Sequence, residues 1–285
     1  MKIVTMTAAL SSAFGLKEAV KIIKESGFDA YDCTLGEAMI RRDDYLEVAK
    51  DLREYADSIN FPCAQTHSVS LGLRKESQFE ENLYLERRSI EFSAILGADI
   101  VVVHPAHYLD VKDNYDEFYS KLLPLAKDLG IKIATENMYI GKFNEEHVWE
   151  TFPGRGGTSE DFVDFIDTVN DESFTACLDI GHAHMIHCEG APSIIRALGH
   201  DRLKALHVHD NDCIHDDHLF PFLGKIDWDE VCKALAEIDY TGNITFEADN
   251  TMFAFPKEVR PYAARTLAEI GKHLRNKIED YKKEL

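Results

Sequence analysis

The 285-residue chain repeats one pattern from end to end: a short run rich in β-branched and aromatic residues, then a longer amphipathic segment. The short runs fall at 2–6, 28–33, 62–66, 99–103, 131–135, 175–179, 203–208 and 243–247. The amphipathic segments fall at 16–26, 43–59, 79–96, 114–129, 159–169, 192–198, 228–238 and 257–279. In "LKEAVKIIKESG" the apolar positions 16, 19, 20, 22 and 23 share one helical face, and Gly27 suits the residue that ends the helix. "TSEDFVDFIDTV" opens with Thr158 or Ser159 as an N-cap, with acids in the first turn. Gly27, Gly97, Gly130 and Gly242 each stand just before a predicted strand, where they let the chain leave the preceding helix. Such alternation calls for parallel strands joined by crossover helices. Eight units in this length predict an α/β fold, a closed (β/α)8 TIM barrel forming a single domain over residues 1–285. A doubly wound open sheet is the alternative, but no GxGxxG follows the first strand.

Charge narrows the choice of partner. The chain has 31 basic and 51 acidic residues, a net charge of −20. A nucleic-acid binder needs a basic footprint, so a small-molecule partner is expected instead. No apolar run approaches the ~20 residues of a membrane span, and "MKIVTMTAAL" reads as a first strand rather than a secretory signal. The six cysteines, at 33, 63, 177, 188, 213 and 232, include no CxxC pair. They read as reduced, mostly buried thiols of a cytoplasmic protein.

A barrel of this kind carries its reactive groups at the C-terminal ends of its strands. Those ends hold His67 after the third strand, His104 after the fourth, Glu136 after the fifth, and Asp179 then His182 after the sixth. His207 lies in the seventh strand, Glu247 ends the eighth, and the loop between them adds Asp216 and His218. A lone His after a strand is ordinarily a hydrogen-bonded loop residue, and a strand-end Asp ordinarily caps a helix. Consecutive strand ends that all finish in metal-competent side chains are different, because a barrel converges them on one axial pocket. Mixed imidazole and carboxylate donors suit Zn, Mn, Fe or Co, whereas Mg and Ca prefer oxygen alone. Clustered carboxylates repel one another unless a cation offsets them, so a divalent metal is expected.

The segments "VVHPAH" (102–107), "ATENM" (134–138), "CLDIGHAH" (177–184), "LHVHDN" (206–211), "DDHLFPFLGKIDW" (216–228) and "ITFEAD" (244–249) together resemble the xylose isomerase-like barrel superfamily. That superfamily holds sugar and sugar-phosphate isomerases and epimerases, inosose dehydratases and endonuclease IV-type apurinic-site enzymes. The resemblance implies one divalent ion (Zn, Mn, Co or Mg) held by Glu136, Asp179, His207 and Glu247. It implies that Glu136 and Glu247 also form the acid/base pair on opposite faces of a sugar or polyol, and that His182 touches substrate. Trinuclear zinc members use five further ligands, corresponding to His67, His104, His182, Asp216 and His218, so up to three ions are compatible with the chain.

His207 and His209 lie two apart on a strand and face the same side. The family form H-hydrophobic-x-D fits "HVHD" from His207, which makes Asp210 its orienting partner and leaves His209 as a substrate contact or pocket wall. The family's "PGxGxI" reads "PFLGKI" here, keeping Pro221 and Gly224 but not the first glycine. Arg155, amid the glycines of "FPGRGGTSED" (152–161), reads either as a clamp on a substrate phosphate or carboxylate or as part of a surface loop. Trp149 and Phe152 either wall the pocket or pack in the core. His107, His184, His187, Asp212, His215 and Asp217 read as ordinary loop and turn residues.

The expected activity is metal-assisted proton transfer beside a sugar carbonyl, giving isomerisation or epimerisation; loss of a β-hydroxyl would give an inosose-type dehydratase. The alternatives are a multinuclear zinc phosphodiesterase, which the net charge opposes, and a non-catalytic binding barrel, which has no need of two flanking glutamates. Homo-oligomerisation is compatible with the chain but is not read from it.

Overall fold

Among the described residues, ten strands form where alternation between an apolar core and a polar face, or burial on both faces, suits extended chain. They are β1 (Ile3–Met6), β2 (Ala30–Thr34), β3 (Cys63–His67), β4 (Ile100–Val103), β5 (Lys132–Glu136), β6 (Tyr139–Phe143), β7 (Trp149–Pro153), β8 (Phe174–Asp179), β9 (Leu203–His207) and β10 (Ile244–Phe246). The computed structural model describes residues 1–69, 78–105, 115–186 and 189–285; His107, His187 and Cys188 lie outside them. Eight strands pair in parallel in the order β10-β1-β2-β3-β4-β5-β8-β9. A bridge from Val208 to Phe246 brings the two ends of this sheet together, giving the expected, nearly closed barrel.

The eight predicted helices are present, at Leu16–Ser26, Tyr45–Ser58, Phe79–Leu96, Tyr115–Leu129, Ser159–Val169, Ala191–Arg202, Trp228–Glu237 and Arg260–Glu284. Thr158, not Ser159, is the N-cap, accepting the Asp161 amide. Among the described residues four short helices are additional: Ala8–Phe14, Glu37–Ile40, Ile180–Met185 and Asp249–Phe253. Each follows the C-terminal end of a barrel strand, and each is too short for apolar periodicity to reveal. The antiparallel hairpin β6–β7 is also additional. No helix among the described residues is long and apolar enough to cross a membrane.

Side chains alternate across the barrel wall. Val101, Val103, Ile133, Leu178, Leu206 and Phe246 face outward into one large core shared with the helices. Small residues face inward: Val4, Ala30 and Ala64 form one cluster, and Ile100, Val102, Ala134, Cys177 and Ala205 another. Toward the strand C-termini the interior turns polar with Asp32, Gln65 and Thr245, all completely buried. The five described cysteines are unpaired, and four are buried.

Gly27, Gly97 and Gly130 take φ of 98°, 73° and 68°, the left-handed conformation that ends a helix. Gly242 has no such φ; it instead leaves room for the Tyr240 hydroxyl and the Lys204 carbonyl, which would lie 2.4 and 2.5 Å from an added Cβ. At Gly97 a Cβ would lie 1.8 Å from Arg53 Nη1, which donates to the Leu96 carbonyl at 2.9 Å. Gly97→Ala is therefore expected to lower stability by about 1–2 kcal/mol through the strained φ and the displaced guanidinium. Calorimetric unfolding would show this; an unchanged midpoint would contradict it.

Candidate active site

Strand termini deliver the polar groups. His67, Glu136, Asp179 and His207 are the last residues of β3, β5, β8 and β9, and His104 and Glu247 directly follow β4 and β10. One group gathers His67, Glu136, His207 and Glu247, with donor atoms all within 4.8 Å of one another. His207 Nδ1 lies 2.9 Å from Glu136 Oε2 and 2.8 Å from Glu247 Oε2. His104 Nε2 sits 3.1 Å from the same Glu136 oxygen and 3.0 Å from His67 Nε2.

Asp179 falls into a second group rather than this one. It lies with His182 and His209, and His209 in turn groups with Asp216 and His218. His209 Nε2 is 3.0 and 3.1 Å from the two Asp179 carboxylate oxygens. Asp216 Oδ2 is 3.1 Å from His218 Nε2 and 3.4 Å from His182 Nε2. His182 joins the groups, since its Nδ1 is 3.3 Å from Glu136 Oε1. All nine residues expected as metal ligands are thus in one contiguous assembly.

Backbone carbonyls fix the orientation of three rings. A carbonyl only accepts, so His67 Nδ1 donates to Ser68 O at 2.8 Å, His182 Nδ1 to Asn137 O at 2.9 Å, and His218 Nδ1 to Glu247 O at 2.7 Å. Each ring then points Nε2 into the cluster, as a second hydrogen bond does for a metal-ligating histidine. His218 holds this pose from a backbone φ of 46°, an unfavourable region retained where the surroundings demand it.

The charge balance supports a cation. Burial pushes the Glu136 carboxyl up, but the His207, His104 and His182 rings outweigh it and hold it well below the ordinary range. Burial likewise opposes ionisation of Asp216 and Glu247, and the neighbouring histidines overcome it in both. The reciprocal shifts raise His182 and His207 well above an ordinary imidazole and push His218 up to about 10, in each case against burial. His67, farther from the carboxylates, is pushed down to about 4 by burial and by His104. Buried Glu136 Oε1, Glu247 Oε2, Asp216 Oδ1 and both His207 nitrogens lack partners in good hydrogen-bonding geometry. Unpartnered, converging carboxylate and imidazole donors of this kind fit a divalent ion.

Asp210 does not orient His207, contrary to expectation. Its Oδ1 accepts the amides of Asn211 and Ile226 at 2.9 and 3.2 Å; its Oδ2 accepts the Phe222 amide and Trp228 Nε1, both at 2.9 Å. One buried carboxylate therefore ties together the loop that carries Asp216 and His218. Gly224 is needed for this closure, because a Cβ there would lie 2.3 Å from both Asn211 O and Asp210 Oδ1. Phe222 occupies the position of the missing family glycine and keeps a glycine-like φ of 76°. His215 and Asp212 pair with each other at 3.0 Å in the exposed part of the loop.

The assembly opens into a cavity of about 540 Å³. His67, His104, Glu136, His182, Asp216, His218 and Glu247 line it, and Met6, Leu35, Met138, Tyr139 and Trp149 complete the wall. His209 is completely buried behind Asp179 and Asp216, not on the wall. Arg155 is also off the wall: its guanidinium pairs with Asp161 and stacks on Phe165 at 4.2 Å. Two further residues had no assigned role in the sequence. Asn137 clamps Asp179, donating to its carbonyl at 3.0 Å and accepting its amide at 2.7 Å. Burial pushes the Asp32 carboxyl up to about 7 beneath the site; the signal was an acid at an inward position of an otherwise apolar strand.

A model of the family described as xylose isomerase-like TIM barrel matches residues 20–273. The chain belongs to this family. An uncharacterised Methanocaldococcus jannaschii relative is 28% identical over 253 residues, covering 82% of this chain and 80% of its own length. An uncharacterised Sinorhizobium fredii relative is 30% identical over 207 residues, covering 68% of this chain and 61% of its own. Among solved structures, a D-tagatose 3-epimerase-like protein superposes with TM-score 0.75 at 24% identity, covering 98% of this chain and 99% of that one. The IolI protein with a zinc atom gives 0.74 at 19% identity, covering 99% of each. A Methylomonas D-allulose 3-epimerase in complex with D-allulose gives 0.72 at 20% identity, covering 97% of this chain and 96% of that one. At these identities the structural likeness is one of fold.

Two expectations follow from the site. Because His182, His207 and His218 are raised, their protons must leave as a divalent ion binds, so affinity rises with pH through the neutral range and binding releases protons. Calorimetric titration with Zn or Mn in buffers of different ionisation enthalpy would measure this; proton-neutral binding would refute it. Separately, Asp210→Ala should cost about 2–4 kcal/mol by stranding four donors, three of them buried, and limited proteolysis should cut first between 211 and 228.

Proposed function

We propose that this protein is a divalent-metal-dependent epimerase or isomerase of ketose-type sugars, working by proton transfer between Glu136 and Glu247. The observation that carries the reading is the convergence of these two carboxylates. They arise from β5 and β10, which two strands separate on one side of the barrel and four on the other, yet both reach the same His207 nitrogen. Side chains arriving from opposite walls at the floor of a sugar-sized cavity are placed to address opposite faces of one bound carbon. The similar solved structures include ketose 3-epimerases, one of them holding D-allulose, which supports a sugar partner.

Glu136, Glu247, His207 and His67, with Asp179 adjoining through His209, would hold the ion. When bound, a divalent ion supplies a Lewis acid that acidifies the C–H beside a sugar carbonyl. The protein's own part is to keep both glutamates ionised, through the histidines that hold their carboxyls low, so that one can take the proton. The other, having taken up a proton from solvent, gives it to the resulting enediolate, and the first releases its own to solvent. Return to the same carbon from the opposite face inverts it; return to the neighbouring carbon exchanges aldose and ketose. His182 and His218, fixed through Nδ1, present Nε2 toward the cavity where hydroxyls would lie.

The Asp216/His218/His209 group favours one rival, a multinuclear zinc hydrolase, in which these residues bind additional ions. Metal analysis and substrate tests separate the two readings. The loaded protein should exchange a ketose C–H proton with deuterated water, and Glu247→Gln should slow this at least about 1,000-fold while the fold is retained. Undiminished exchange in the variant removes Glu247 from the reaction. Absence of exchange, combined with three bound zinc ions and phosphodiester cleavage, establishes the rival.

A further inference from the structure

The hairpin β6–β7 is absent from the sequence-based expectation and lies beside the metal donors. Trp149 and Gly141 both line the cavity. The indole lies across Gly141, where an added Cβ would come within 2.0 Å of Trp149 Cζ2. Phe143 braces the indole edge-on at 5.1 Å, and the Gly154 amide donates to the Met138 carbonyl at 2.9 Å, closing the hairpin's base. Thr151 Oγ1 ties the second strand to the Met185 carbonyl. The indole is thus a held surface, and Met138, Leu35 and Met6 also line the cavity.

The carboxylates of Glu136, Asp216 and Glu247 line the same cavity. Among the described residues lining the cavity there is no lysine or arginine. The two nearby cations of the hairpin region are turned to other work. Lys142 lies over the Phe152 ring at 4.3 Å, and Arg155 pairs with Asp161 while stacking on Phe165. Phosphate recognition calls for such cations or for clustered amide donors. A phosphate dianion in this cavity would meet three carboxylates and an indole, with only the histidine rings and a bound ion to set against its charge.

We propose that the hairpin is the specificity element of the cavity, with Trp149 packing on the C–H face of a neutral, unphosphorylated sugar and excluding the phosphate ester. This rests on the reading of the site as one that enolises sugars, and it adds the substrate class. A flat aromatic face suits the apolar side of a ketose whose hydroxyls turn toward polar donors, and it offers nothing to a dianion.

The test uses the metal-loaded protein with D-allulose, D-fructose and D-fructose 6-phosphate. Calorimetric titration reports binding, and proton exchange in deuterated water reports turnover. A free ketose should bind at least about 100-fold more tightly than the ester, and Trp149→Ala should weaken free-ketose binding about 10-fold or more. Metal content should not change, and Trp149→Phe, which keeps a ring, should restore most of the affinity. Equal or tighter binding of the ester, or unaltered ketose affinity in Trp149→Ala, overturns the proposal. The two readings fail separately. Selective binding of the free ketose without exchange sustains the hairpin's role and removes proton transfer; exchange with both forms alike does the reverse. Binding of neither overturns both.

Discussion

Negative charge gathered in a buried place is the constraint around which this protein is built. Glu136, Asp179, Asp216 and Glu247 meet at the end of a barrel whose inner surface below them is small and apolar. Carboxylates so placed repel one another and lose hydration, and Glu136, Asp216 and Glu247 are held low by the histidine rings that face them. His182, His207 and His218 lie among these carboxylates, which favours their protonation despite burial. A divalent ion would satisfy the same demand with one charge centre and free the rings to act as neutral donors.

Much of the remaining architecture holds those groups in place. Asn137 grips the backbone of Asp179 on both sides, and backbone carbonyls hold three of the imidazoles. Asp210 performs the same service at the scale of a loop. Its four accepted hydrogen bonds, one from Trp228 Nε1, close the segment that carries Asp216 and His218. The residue expected behind a single ligand therefore supports two others. Phe222, within this loop, takes a left-handed φ of 76° that a glycine would adopt more easily.

The cavity shows a division of labour between the barrel and its additions. Barrel strands contribute the charged floor, while the β6–β7 hairpin contributes the aromatic wall. The floor governs what chemistry is available, and the wall governs what is admitted. Separating the two lets a shared floor serve different substrates as the loops above it vary.

The barrel was legible because its evidence is periodic: each buried parallel strand and each amphipathic helix declares itself within its own few residues. The strand-end donors were legible for a related reason, since a barrel makes order along the chain into order around an axis. Three things were not readable from single positions. His207 and His209 look equivalent two residues apart, yet one meets Glu136 and Glu247 while the other meets Asp179; only the curvature of the barrel separates them. Arg155 carries the same charge whether it clamps a substrate or Asp161, and its neighbours in space decide which. The hairpin "YIGKF…WETFP" is short, half-exposed and closed by a polar turn, so its strand pairing left little hydrophobic pattern to read. The sequence by itself determined the eight barrel strands, the eight long helices and which side chains reach the barrel mouth, because those follow from local periodicity and strand direction. The tertiary structure alone decided how the donors divide into groups and what walls the cavity, because both depend on contacts between segments far apart in the chain.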